Sequence, residues 1–310
     1  MDRGKTHRPC AESVIIMAYW VKDDTYHYAD LQTEMLDILK AFIALCEQYH
    51  LNYWACGGTL IGALRHNGFI PWDDDLDVFM PRPDYETLWA HREEINLAGG
   101  RMKLVRTTRE KNYHHRVMQL VDVETTFINE RCVNEDIEHG VYIDIIPMDA
   151  CAENPFARIG QIASSILFSV YNVQTLPELH GGKAYRALVG ALLKLVPSGE
   201  RRYRIWSRNE KRMQKAAWGE TKRVVELACS FGVLLHPYPA EWFLTTTKHP
   251  FEDIEINIPA GADAYLRQVF GDYLQLPPEE KRNPHHHTVK LDLENGYEKY
   301  RGVYYLVGNK

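Results

Sequence analysis

Four aspartates crowd into five consecutive positions in the run Asp73-Asp74-Asp75-Leu76-Asp77. Packed together, such carboxylates repel one another and lose hydration unless a cation neutralises them. Leu76, Val78 and Phe79 separate and follow the acids, which fits a strand entering a core better than a solvated acidic loop, the competing reading. If Asp75 begins that strand, Asp75 and Asp77 share a face, because side chains alternate along a strand. Oxygen-only ligands at that spacing suit Mg2+ or Mn2+ rather than zinc. An EF-hand is excluded, since the distal glutamate and the regular oxygen spacing are missing.

A metal pair needs a third carboxylate to bridge and orient it. Asp144 is the best candidate, as a lone acid in the apolar run Val141-Tyr-Ile-Asp-Ile-Ile-Pro147 is costly unless paired or ligated. A salt-bridged strand residue is the plainer reading of the same position. Asp122 competes less well, because Val121-Asp122-Val123 also suits a half-exposed strand. Gly57-Gly58-Thr59 ends 16 positions before Asp75. Glycines at a strand-to-helix turn let backbone approach a ligand, and a helix start offers its N–H groups to phosphate. An ordinary tight turn is the alternative there, so the triplet gains weight only from its proximity to the acids.

Several elements must bring these residues together. Leu31, Met35, Leu39, Phe42, Cys46 and Tyr49 recur at helical spacing, which predicts a helix over 31–49 with Asp30 as its cap. A short strand over 51–55, broken at Gly57-Gly58, precedes a helix over 59–66 that Asn67-Gly68 ends. A buried strand follows at 76–80, stopped by Pro81 and Pro83, then a helix from Pro83 to about Ile95. Strands are predicted at 102–106, 117–123 and 141–146, the last closing at Pro147. Helices near 156–171, 183–196 and 200–217 come next, then strand-like portions in 241–258 and a helix over 262–270. The fold class expected is α+β, a mixed sheet flanked by helices with an additional helical region. The corresponding division is an arm at 1–30, a catalytic core at 31–155, the helical region at 156–240 and a C-terminal segment at 241–310. The run from Tyr297 carries no readable pattern.

Composition narrows the class. The chain has 310 residues, 45% of them hydrophobic, a formal net charge of −6 and a pI near 6.2. That balance argues against a general nucleic-acid binder. Cys10, Cys46, Cys56, Cys132, Cys151 and Cys229 are scattered without a CxxC pair, so reduced thiols are expected. The apolar run from Val14 to Val21 falls short of the roughly 20 residues of a membrane span. It also lacks a small-residue cleavage site, so the chain reads as cytoplasmic.

Three stretches resemble the LicD family, which includes bacterial phosphocholine transferases and relates to the fukutin-type phosphotransferases. They are GGTLIGALRHNGFIPWDDDLDVFMPRPDYE at 57–86, VYIDIIPMD at 141–149, and FEDIEINIPAGADAYLRQVFGDYLQLPPEEKRNPHH at 251–286. The first is highly specific, and the order of all three is the expected one. The resemblance implies a nucleotidyltransferase-like fold, with Asp75 and Asp77 as the Asp-x-Asp metal site and Asp144 as the third acid. It further implies a CDP-activated donor, most often CDP-choline, whose phosphoalcohol passes to a sugar hydroxyl of a glycan that is often lipid-linked.

On that reading Asp75, Asp77 and Asp144 hold Mg2+ or Mn2+, and Asp144 takes the acceptor proton. Gly57, Gly58 and Thr59 contact phosphate, and Arg65, further along the short helix, steadies it or serves only the surface. Asp73 and Asp74 support the metal ligands or accept hydrogen bonds that fix the turn. His285-His286-His287 would ordinarily be an exposed polar loop; because His285 and His286 fall in the third matching stretch, a donor-phosphate role is set beside it. A zinc site lacks partners. For a choline donor, Trp72 and Tyr85 are the aromatic candidates nearest the acids. The apolar segments 159–170 and 184–196, the latter near Arg201, Arg202 and Arg204, read either as core helices or as a face for peripheral membrane contact. Two other functions stay open: nucleotidyl transfer with pyrophosphate release, and a non-catalytic nucleotide- or metal-binding module.

Overall fold

A computed structural model describes residues 26–97, 100–176, 183–229 and 231–308. The expected arm at 1–30 and the apolar run 14–21 fall wholly or mostly outside that range. The elements in chain order are α1 (Ala29–Gln48), β1 (Trp54–Ala55), α2 (Gly57–His66), β2 (Asp77–Pro81), α3 (Arg82–Ala90), α4 (Arg92–Leu97), β3 (Met102–Val105), β4 (Met118–Asp122), β5 (Thr126–Asn129) and β6 (Val141–Ala150). Then come α5 (Pro155–Val173), α6 (Lys183–Leu195), α7 (Gly199–Met213), β7 (Arg223–Val225), α8 (Phe231–Leu234), β8 (Tyr238–Pro239), β9 (Thr246–Phe251), β10 (Ile254–Pro259), α9 (Ala262–Phe270) and β11 (Thr288–Asp292). The architecture is α+β, as expected.

The main sheet runs β1-β2-β6-β4-β3, with β7 and β8 continuing from β6. Only β2 and β6 are parallel; the other pairs are antiparallel. β6 is the spine. It alternates cleanly, with Val141, Ile143 and Ile145 buried and Tyr142, Asp144 and Ile146 partly exposed. The buried set packs with Leu31, Met35, Ile38, Leu39 and Phe42 of α1 in one core. A second core lies between α5 and α7, where Phe168, Tyr171, Trp206 and Met213 meet Val225 and Leu227. Asn154 starts α5, its Oδ1 accepting from the N–H groups of Phe156 and Ala157 at 3.0 and 3.1 Å.

Several expected boundaries shift for local reasons. Asp30 lies inside the first turn of α1, and Tyr28 stands at the cap with no side-chain bond. The helix expected from Pro83 breaks at His91 into α3 and α4. Pro147 does not end its strand. β6 pairs with β4 across Val141–Ile145 and with β7 from Asp149, so the missing N–H falls between two partners on that edge. The described cysteines Cys46, Cys56, Cys132, Cys151 and Cys229 are free thiols. Among the described residues no helix is long and apolar enough to cross a membrane.

Candidate active site

The parallel pairing of β2 with β6 sets Asp77 directly beside Asp144. The Asp144 N–H donates to Leu76 O at 2.9 Å, and its Oδ1 accepts from Gln119 Nε2 of β4 at 2.8 Å. Asp75 is not on the strand, which begins at Asp77, so period-two alternation does not align the two acids. The loop brings Asp75 there instead. Burial pushes the Asp77 carboxyl well above the usual range, and the charges of Asp75 and Asp144 add to it. Burial likewise raises Asp144 to about 6, against the Gln119 hydrogen bond and with the charge of Asp75. A corner where Asp77 and Asp144 resist ionisation beside a third carboxylate is one that a cation relieves.

Helix α2 points its N-terminus at this corner. Its first turn is Gly57-Gly58-Thr59, so the glycines open the helix rather than merely ending a strand. Gly57 has φ +52°, a conformation that favours glycine. A Cβ on Gly58 would stand 2.6 Å from Asp73 Oδ2, and Asp73 is buried, so any side chain there would displace the acid. Helical hydrogen bonding starts with Leu60 N–H donating to Cys56 O at 3.1 Å. The N–H groups of Gly58 and Thr59 precede that ladder and belong to the positive end of the helix dipole. Gly57 N–H faces the Tyr265 hydroxyl. The Thr59 hydroxyl is buried and accepts from Asp77 N–H at 2.9 Å, tying α2 to β2.

The C-terminal segment closes the corner. Asp74, 1% exposed, accepts from the backbone N–H groups of His285 and His286 at 2.8 and 3.1 Å. This fastens a loop more than 200 residues away in sequence beside the acids. His285 Nε2 then stands 3.8 Å from Asp73 Oδ1, and His286 Nε2 lies 3.2 Å from the Tyr142 hydroxyl. Asp73, Asp75 and His285 form the group, among the described residues, whose ligand atoms all lie within 4.8 Å of one another. Opposite ligands of a small divalent ion, each about 2.0–2.4 Å away, have that separation. The compact donor set thus shares Asp75 with the expected trio and adds Asp73 and His285, while Asp77 and Asp144 flank it.

Residues 50–150 match the family profile described as LicD/FKTN/FKRP, nucleotidyltransferase domain. This stretch belongs to the LicD family. Over 268 residues, 82% of this chain and 94% of the relative, the sequence is 28% identical to the lipopolysaccharide cholinephosphotransferase LicD of Haemophilus influenzae. Shorter likenesses, 40% identical over 63 and 50 residues, join it to uncharacterized proteins of Rickettsia prowazekii and Rickettsia typhi, covering 20% and 16% of this chain and the same shares of theirs.

Around the LicD domain the remaining candidates sort by environment. Arg65 faces the acids: NH1 donates to Tyr273 O at 2.7 Å, and its charge lies close enough to Asp73 to be felt there. Asp122 is fully buried and pairs with Arg101, a structural role. Neither expected aromatic candidate is open to a quaternary ammonium. Trp72 is buried with the guanidiniums of Arg65 and Arg282 at 5.9 and 5.4 Å from its ring, and Tyr85 is buried against Arg82 and Arg106 at 5.2 and 5.6 Å. Their faces are already occupied.

Glu226 went unnoticed in the sequence. It is buried, accepts from the Tyr238 hydroxyl at 2.6 Å, and its charge helps raise Asp77. Its setting, Val224-Val225-Glu226-Leu227, carries the same lone-acid signal that singled out Asp144.

Proposed function

We propose that this chain is a metal-dependent LicD-type phosphotransferase that moves a phosphoalcohol, phosphocholine first among the candidates, from a CDP-activated donor to a sugar hydroxyl of a cell-surface glycan precursor, releasing CMP. The observation that carries the reading is the meeting of Asp75, Asp77 and Asp144 at the glycine-started N-terminus of α2. The relative's name supports the transferred group. The acceptor oxygen bonds to the distal phosphorus as the bond from that phosphorus to the CMP oxygen breaks, and the hydroxyl proton passes to Asp144. Gln119 aims the Asp144 carboxylate. The N–H groups of Gly58 and Thr59, with Arg65, orient the diphosphate, and His285 and His286 stand at its donor side. Mg2+ or Mn2+ held by the acids would neutralise the diphosphate charge.

The test is a panel of CDP-alcohols with Mg2+ or Mn2+, read as CMP. CMP release from CDP-choline or another CDP-alcohol is expected. Pyrophosphate from a nucleoside triphosphate, with no CMP from any CDP-alcohol, would move the reading to nucleotidyl transfer, and neither product would leave a binding module.

The same reading places the chain at the cytoplasmic face of a membrane when the acceptor is lipid-linked. Phe156 and Ile159 of α5 are 84% and 65% exposed. Their chain neighbours Ala157 and Gly160 line a groove of about 600 Å³ that Arg212 and Lys215 also line, and Arg204 and Arg208 are exposed on α7. Apolar wedges beside cations fit an anionic bilayer, each cation contributing about 1 kcal/mol. Flotation with phosphatidylglycerol vesicles is expected to carry the protein up, and the double variant Arg212→Glu, Lys215→Glu to reduce binding by about tenfold or more. No flotation of the wild type removes the membrane face.

A further inference from the structure

A second cavity, about 60 Å³, opens beside Asp144 on the half-exposed face of the sheet, its walls including His115, Gln119, Phe127, Asn129, Tyr142 and His286. Gln119 is the residue that holds the Asp144 carboxylate, so one side chain separates this cavity from the proposed proton acceptor. Nothing in the sequence marks it, because its walls come from four distant segments.

The walls carry unmet polar capacity. Asn129 is 6% exposed, and its Oδ1 is buried without a hydrogen bond. Its Nδ2 reaches only the Tyr142 hydroxyl, at 3.4 Å, and turning the amide over merely exchanges which atom goes unpaired. His286, by contrast, has both ring nitrogens engaged, Nε2 with the Tyr142 hydroxyl at 3.2 Å and Nδ1 toward Asp74 Oδ1 at 3.4 Å. A buried polar atom left unsatisfied costs about 1–3 kcal/mol, so these walls call for a polar occupant. The volume matches two waters at about 30 Å³ each, or one carbon with its hydroxyl.

Charge selects the kind of group. Arg131 lines the cavity, and its one carboxylate, Glu138, is held by Lys111 Nζ at 2.7 Å. Burial brings His115 down to about 4, with His114 and His286 adding to it, so its imidazole is neutral at pH 7. A quaternary ammonium finds no free counter-charge here. A hydroxyl, which donates to one wall and accepts from another, finds both partners.

The geometry points to a subsite for a hydroxyl of a neutral polyol or sugar, set beside Asp144 by Asn129, Tyr142 and His115. It rests on the phosphotransferase reading above and deepens it. Two sources share this chemistry: the alcohol moiety of a polyol donor, or the acceptor sugar next to the hydroxyl that reacts.

Calorimetry with Mg2+ on CDP-glycerol and CDP-choline, the latter lacking a free hydroxyl on its alcohol, separates the sources. If the donor fills the subsite, Asn129→Leu weakens CDP-glycerol about tenfold and CDP-choline less than twofold. If the acceptor fills it, both dissociation constants hold, and the KM for methyl β-galactoside in CMP release from CDP-choline rises by about tenfold. Tyr142→Phe, which keeps the ring and removes the hydroxyl, carries the same test if the leucine variant does not fold. Variants that melt like the wild type yet change none of these values, or that weaken both donors equally, overturn the subsite. A wild type that binds neither CDP-alcohol overturns the phosphotransferase reading, and the subsite with it.

Discussion

Asp75→Asn is expected to reduce CMP release by roughly a thousandfold, about 4 kcal/mol in the transition state, while the metal-free protein melts at the same temperature or higher. The two halves of this result have one cause. Asp75 is partly exposed, belongs to the compact donor set with Asp73 and His285, and acts electrostatically on Asp77 and Asp144. Removing its charge deprives a cation of a ligand, so turnover falls. The same change relieves repulsion on Asp73 and Asp77, which burial and neighbouring carboxylates hold well above the usual range. Their ionised forms become easier to keep in the folded state, and stability rises at neutral pH. A merely structural aspartate would behave the other way round. Asp122, buried and paired with Arg101, provides that contrast: Asp122→Asn should lower the melting temperature and leave the KM for donor unchanged. Unaltered CMP release by Asp75→Asn, at saturating Mg2+, would remove the acid corner from the mechanism.

Local patterning made much of this legible. The core positions Leu31, Met35, Leu39, Phe42 and Cys46 on α1, the C-cap at Asn67 (φ +53°) and helix α9 follow from periodicity and capping alone, because those signals act within a few residues. Asp144 could be singled out because a lone acid in an apolar strand is unusual whatever it pairs with. Its adjacency to Asp77 could not, since that is a matter of which strand β6 lies beside and in what register. The same limit hid the C-terminal closure. Nothing near His285 says that Asp74 will accept its backbone N–H, and a histidine run in isolation reads as a solvated loop. Proximity in sequence misled in the opposite direction for Trp72 and Tyr85: both neighbour the acids along the chain, yet their rings already face guanidiniums. Asp75 shows a third kind of limit. The strand starts at Asp77, two residues beyond Asp75, and Asp75 reaches the corner by a loop path that alternation cannot describe.

A second large effect should appear far from the acids, at Arg82. Its guanidinium meets Asp149 in a bidentate pair, Nε to Oδ1 and NH2 to Oδ2 both at 2.7 Å, with Asp149 1% exposed. NH1 reaches Glu86 at 3.3 Å and Glu210 at 3.9 Å. Burial works against the charged arginine, but Asp149 more than compensates and holds it further above its already high ordinary value. Because Glu210 lies on α7 and Asp149 near the end of β6, this cluster joins the helical region to the spine of the sheet. Arg82→Met keeps the bulk of the side chain and strands Asp149 as an uncompensated buried acid, so a loss of about 3–5 kcal/mol in unfolding free energy is expected. Two further measurements identify the cause. Lowering the pH should restore part of the variant's stability, because protonation removes the stranded charge: an acid whose folded pKa is raised destabilises only above its unfolded pKa. Adding Asp149→Leu to Arg82→Met should recover most of the loss, since replacing both members of a buried pair by apolar groups is often near neutral. If the double variant is as unstable as the sum of the two single ones, the pair is not what Arg82 is for, and its contacts with the Tyr85 ring and with Glu210 must account for the effect.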